Sequence, residues 1–106
     1  MDQYYDSRPE TLKHIRKVQA LLNKVVFALK KRAWRHDASK LVEPELAYFD
    51  KFTPLLSKVE YGSKQYRAML DKMRPAIDHH QKFNRHHPEY FDDGINGMSL
   101  VDLLEM

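Results

Sequence analysis

The feature that most limits what this chain can fold into is an apolar stripe of helical period near its start. Ile15, Val18, Leu22, Val25, Leu29 and Ala33 recur at spacings of three and four. That spacing gathers them on one side of a helix and would scatter them over both faces of a strand. Lys13, Lys17, Lys24, Lys31 and Arg35 fall on another face, as an amphipathic helix requires. Ahead of the stripe, Ser7 and Glu10 make an S-x-x-E capping signature and Pro9 is tolerated in a first turn. The first helix is therefore expected to start near Arg8. Continued past Ala33, the stripe lands on His36, with Asp37 at its edge.

The same reading carries through the rest of the chain. After "ASKLV", Glu43-Pro44-Glu45 opens a second helix with Leu46, Phe49, Phe52 and Leu56 inward, Pro54 as a kink or break, and an end near Ser57. "YGS" makes a turn with Ser63 as N-cap. A third helix follows, with Tyr66, Met69, Leu70, Met73 and Ile77 as its buried stripe and a bend at Pro75. Neighbouring helical residues point about 100° apart, so His80 is expected inward and His79 toward the rim. "HHPEYFDDGING" reads as a loop, because Pro88 disfavours helix at His87 and two glycines follow. Ser99 caps a last short helix, "LVDLLEM". No repeat and no strand-like alternation is present. The expected fold class is all-α, a compact bundle of about four to five helices forming one domain over residues 1–106.

Composition narrows the chemistry. The chain has no cysteine, so a metal would be held by His, Asp, Glu and water, which favours borderline or hard divalent ions such as Mn, Fe, Ni, Co, Zn or Mg over a thiolate-bound structural zinc. No apolar run approaches the roughly 20 residues of a bilayer crossing, and "MDQYYDSRPE" lacks the pattern of a secretory leader. A cytoplasmic protein without membrane association is expected. The net charge of +3 hides an asymmetry: residues 8–40 hold ten Lys or Arg against two acids, and residues 41–106 hold eight against eleven. A basic first helix attracts phosphate, whether on a small molecule or on nucleic acid.

Four of the six histidines lie between His79 and His87. If short connections make neighbouring helices antiparallel, the end of helix 1, the end of helix 3 and the start of the last helix meet at one pole. His36, Asp37, His80, one or both of His86 and His87, and Asp102 then converge. Imidazole and carboxylate ligands with positions left for water are what a hydrolytic metal centre needs. His14 stands apart, since 22 residues of unbroken helix put it about 33 Å from His36. Glu45 and Glu89 are candidate general bases, and Asn84 could orient a ligand through a hydrogen bond. His79, Arg85 and Tyr90 fit the rim or the substrate side better than the ligand set. Trp34 with Arg32 and Arg35 could stack a base. The blander reading makes His36-Asp37 a helix C-terminal histidine and a turn aspartate, and the whole cluster a polar network.

His14 in "HIRKV", His36-Asp37-x-x-Lys40 and the late Asp102 resemble the ordered H…HD…D pattern of the HD-domain metal-dependent phosphohydrolases, an all-helical superfamily. "HDASK", "PELAYF", "YGSKQY", "PAIDHHQKFNRHHPEYF" and "GMSLVDLLEM" look more closely like an uncharacterised family of small phage and bacterial proteins related to those domains. This resemblance runs from about Thr11 to Met106 and implies an HD-like fold, with the host cytoplasm as location if phage-encoded. It implies metal ligands at His14, His36, Asp37 and Asp102, with His80, His86 or His87 serving a second ion. Lys40 matches a lysine that often follows the doublet and would neutralise a substrate phosphate, while Ser39 stands where glycine is common. The related family usually continues beyond Glu105-Met106, which implies a minimal or truncated version here.

Two function classes follow. One is a metal-dependent phosphohydrolase acting on a nucleotide or related phosphate ester, with Asp37, Lys40 and Glu45 catalytic and with Arg35, Lys40, His79, Asn84 and Arg85 around the substrate. The other is a noncatalytic binding protein that uses the basic helix 1 to contact nucleic acid or a host protein. A homodimer is compatible with either.

Overall fold

The computed structural model describes residues 4–106. The first three residues of the stretch read as lacking a leader lie outside the described residues. All regular structure among the described residues is helical: α1 Arg8–Arg35, α2 Glu45–Leu56, α3 Lys64–Lys72, α4 Arg74–Phe83 and α5 Leu100–Glu105, with short 3-10 turns at Ala38–Leu41, Pro88–Tyr90 and Gly94–Gly97. None of these helices is long and apolar enough to cross a membrane. By its contacts the chain divides into two compact units, Met1–Trp34 and Arg35–Met106.

The first unit is dominated by α1, which starts where the capping signature predicts. The Asp6 carboxylate accepts the Arg8 backbone N–H at 3.1 Å and the Arg8 guanidinium at 2.8 Å, and Glu10 accepts the Tyr5 hydroxyl. No residue of α1 is buried. Ile15, Val18, Leu22 and Val25, expected to face a core, are exposed, Leu22 at 59%. Periodicity decides which residues share a face; what covers that face is a tertiary matter.

The second unit is built on α2, α3 and α4. Phe52, Met73 and Ala76 are its buried apolar residues, with Leu46, Phe49, Leu56, Tyr66, Met69, Leu70 and Ile77 half-buried around them. Pro54 does not break α2. The expected third helix is two: Ser63 caps α3 by accepting the Tyr66 N–H at 3.1 Å, the chain breaks at Met73, and Pro75 falls in the first turn of α4. A proline there removes an N–H that has no intrahelical partner anyway. α2 packs on α4, α3 packs on both, and the Ala38–Leu41 turn lies against α2 and α4. α4 stops at Asn84, whose backbone is extended. The chain then winds through two turns, with Gly94 at φ +62°, into α5.

Candidate metal centre

Asp37 follows α1 in the left-handed conformation, φ 55°, a region that Asp and Asn tolerate better than other side-chain-bearing residues. That single residue turns the chain out of the helix and into the Ala38–Leu41 turn. Its carboxylate lies between three imidazoles and a lysine. Oδ2 is 3.0 Å from Lys40 Nζ and 3.4 Å from His36 Nε2. Oδ1 is 3.1 Å from His80 Nε2 and 3.0 Å from His86 Nε2. Neither of those nitrogens meets Oδ1 with hydrogen-bond geometry, and the oxygen is buried without such a partner, as is His87 Nε2.

Ligand atoms of Asp37, His80, His86 and His87 all lie within 4.8 Å of one another. Two donor atoms at right angles, each about 2.1 Å from one ion, are separated by about 3.0 Å. The Asp37 to His80 and Asp37 to His86 distances match that edge, and the donor set fits a borderline divalent cation. These residues could hold a metal ion.

Behind the imidazoles stand two further carboxylates. Glu45, fully buried, accepts His80 Nδ1 at 2.8 Å on one oxygen and His79 Nδ1 at 2.6 Å on the other. Ser39 adds a hydrogen bond to Glu45 and accepts the Asn84 amide at 2.9 Å; Asn84 also donates to the His80 carbonyl at 2.7 Å. Glu105 Oε2 lies 3.0 Å from His86 Nδ1 and 3.1 Å from His36 Nδ1. In both His80 and His86 a carboxylate therefore engages Nδ1 while Nε2 turns to Asp37. That division fixes ring orientation and tautomer and raises ligand basicity. His36, His86 and Glu105 form a second group able to hold a metal.

The electrostatics favour ionised carboxylates and a neutral imidazole. Burial is the largest single influence on Asp37 and acts to raise its pKa, but Lys40, His36 and His80 together hold it below the usual carboxylate range. In Glu45 burial again pushes up, and the hydrogen bonds from Ser39, His79 and His80 outweigh it, leaving the pKa lowered. His87 is lowered first by burial and then by His86 and His80, so it stays uncharged, as a ligand must be.

Residues 3–106 match the profile of a family described as a family of unknown function, DUF5662. The chain belongs to that family. Neither the comparison with curated proteins nor that with solved structures gives a match.

In this DUF5662 chain the expected site residues separate clearly. His36, Asp37, Lys40, His80, His86 and His87 line one cavity of about 500 Å³, whose other wall is largely apolar with Phe49, Tyr66, Leu70 and Ile77. Asp102, expected as a ligand, lies in neither candidate group and caps α5: its Oδ2 accepts the Ser99 N–H at 2.9 Å, Ser99 Oγ accepts the Asp102 N–H at 3.2 Å, and Arg85 reaches Oδ1 at 3.3 Å. The S-x-x-D spacing of "SLVD" carried that signal. His14 is an exposed residue in the second turn of α1 and is in neither ligand group. Glu45, expected as a general base, has both oxygens engaged by imidazoles. It holds the two rings and does not line the cavity.

The substrate-side expectations also change. Of Arg35, Lys40, His79, Asn84 and Arg85, only Lys40 lines the cavity. His79 is held by Glu45 and stacks on Phe83 with ring centroids 4.4 Å apart. Arg85 pairs with Asp102, and Arg35 is exposed at the end of α1. Glu105 was not singled out by sequence reasoning. Its spacing of three from Asp102 sets both carboxylates on the same side of a helix that starts at the pole, and that signal could have found it.

Proposed function

We propose that this chain is a metal-dependent phosphohydrolase of the HD type, acting on a nucleotide or related phosphate ester. The observation that carries the reading is the convergence of Asp37 Oδ1, His80 Nε2 and His86 Nε2 without mutual hydrogen bonds, each imidazole being braced from behind by a buried or half-buried glutamate. A bound divalent ion supplies Lewis acidity and lowers the pKa of a water to near neutrality. Asp37, His80, His86 and His87 would hold that ion, and Glu45 and Glu105 orient the rings. Lys40 stands at the cavity with its ammonium 3.0 Å from Asp37 and 5.0 Å from the Phe49 ring centroid, a placement from which it can neutralise a phosphate oxygen. The apolar wall of Phe49, Tyr66, Leu70 and Ile77 suits the organic part of the ester.

The test is elemental analysis of untagged protein dialysed without chelator, wild type against Asp37→Asn, followed by phosphate release from a panel of phosphomonoesters with Mn, Ni, Co, Zn or Mg added. Asparagine keeps the left-handed backbone of residue 37 and removes only the charge. Near-stoichiometric metal lost in the variant, with ester hydrolysis that follows the metal, supports the reading. Wild-type protein that neither carries nor takes up a divalent ion overturns it. One observation favours a second reading: Lys13, Lys17, Lys24 and Lys31 are exposed on α1, with Trp34 74% exposed. Binding of nucleic acid through this face would weaken steeply with salt and ignore chelator.

A further inference from the structure

We propose that Gln81 selects among phosphate esters by hydrogen-bonding a hydroxyl group that the ester carries between its phosphate and an apolar ring, as a nucleoside phosphate does. The inference rests on the phosphohydrolase reading for the place of the phosphate, and it adds what the rest of the cavity recognises.

The polar side chains of the cavity fall into two sets. His36, Lys40, His80 and His86 each lie 3.4 Å or less from the Asp37 carboxylate, and His87 completes the candidate ligand group. All of these are committed to the ion or to the charge beside it. Gln81 and Tyr66 also line the cavity and have no part in that cluster. Gln81 is half-buried, and its carboxamide makes no hydrogen bond to any described residue.

The helix explains the placement. His80 and Gln81 come three and four residues after Ile77 on α4, a spacing that gathers the three on one side, and all three line the cavity. His79 falls outside that arc and turns to Glu45. Ile77 belongs to the apolar wall and His80 to the ligand group, so Gln81 borders both. An ester with its phosphate at the ion and its ring on the wall therefore passes Gln81 with the atoms that join the two.

The side chain narrows what those atoms carry. A carboxamide offers two N–H donors and a carbonyl acceptor, and no charge. It does not neutralise phosphate, which falls to Lys40, but it pairs with a hydroxyl as donor or as acceptor. A ligand without that hydroxyl leaves a half-buried carboxamide unpaired, which disfavours it. On the wall, Phe49 and Tyr66 present flat apolar faces to a ring.

Isothermal titration calorimetry of the Mn-loaded full chain tests this with two ligands that are not hydrolysed. One is adenosine monophosphate with a methylene group in place of the ester oxygen; the other is the same compound without the two ribose hydroxyls. Wild type is expected to bind the hydroxylated ligand about 10- to 100-fold more tightly. Gln81→Met keeps the length and helix propensity of the side chain and removes both polar groups. It is expected to bind both ligands as wild type binds the dideoxy compound, with circular dichroism and Mn affinity showing that it folds and keeps its ion. Equal binding of the two ligands by wild type, or discrimination that survives Gln81→Met, overturns the proposal. Phosphate release from adenosine monophosphate separates the two readings. Discrimination lost in Gln81→Met without phosphate release upholds the role of Gln81 and overturns the hydrolase. Release without discrimination does the reverse, and a wild type that binds neither ligand and releases no phosphate overturns both.

Discussion

The two units of this chain use burial in opposite ways. In the first, α1 carries a long aliphatic strip and buries none of its residues. In the second, the buried residues include Glu45, His80, His86 and Asp102 beside only Phe52, Met73 and Ala76. Four polar or ionisable groups against three apolar ones is a poor composition for stability, because withdrawing charge from water costs several kcal/mol per ion unless partners compensate. The contrast teaches that the second unit is organised around its polar cluster, and that apolar side chains frame it. The first unit exposes apolar surface and, among the described residues, has no polar cluster of that kind.

The largest expected effect on this contrast comes from Asp37→Asn. Removal of the central charge is expected to weaken divalent-ion affinity by more than about 100-fold, beyond the range typical of outer supporting residues, as isothermal titration calorimetry would show. Glu45→Gln comes next. It leaves one acceptor for two imidazole N–H groups, and a loss of about 3 kcal/mol in urea unfolding is expected with a 10- to 100-fold weaker metal site. Equal metal affinity in this variant would mean that Ser39 and packing suffice to orient His80. Glu105→Gln is expected to lower affinity about tenfold with a smaller stability change, because Glu105 is half-buried where Glu45 is fully buried.

Acid should sharpen the same contrast. Asp37 and Glu45 are held below the ordinary carboxylate range, so the stability they contribute is present above about pH 4 and lost as pH falls through their folded values. His87 is held below the ordinary histidine value. The unfolded chain therefore binds its proton first, and stability declines as pH drops from about 6.5 toward the folded value. Melting temperatures of the metal-free protein are expected to fall steadily from pH 7 to pH 4, and His87→Gln is expected to flatten the upper part of that curve. The smallest effect belongs to α1: Trp34→Ala, at a 74% exposed position, is expected to change stability by less than about 0.5 kcal/mol and leave metal uptake unaltered.

Much of the helical framework was legible because helices are written in local terms. Ser63 and Ser99 were readable as caps, and the start of α1 and the end of α2 near Ser57 follow from capping and periodicity. The break at Met73 was read as a bend, since proline in a first turn and proline in mid-helix look alike until the flanking backbone is known. The histidine pole was legible too, because Asp37, His80, His86 and His87 lie at the ends of predicted elements. The division of labour among the carboxylates was not. Asp102, expected as a ligand, caps α5; Glu45, expected as a base, accepts two imidazoles; and Glu105, which lies against His36 and His86, passed as the last acid of a helix.

The sequence by itself determined the all-helical class, the element boundaries to within a residue or two at most ends, and the presence of an imidazole-rich pole, because propensity, capping and periodicity act over a few neighbouring residues. Only the tertiary structure decided which carboxylate faces the cavity and which holds a ring from behind. Those outcomes depend on distances between residues that lie as much as 69 positions apart, as His36 and Glu105 do, and no local pattern encodes them.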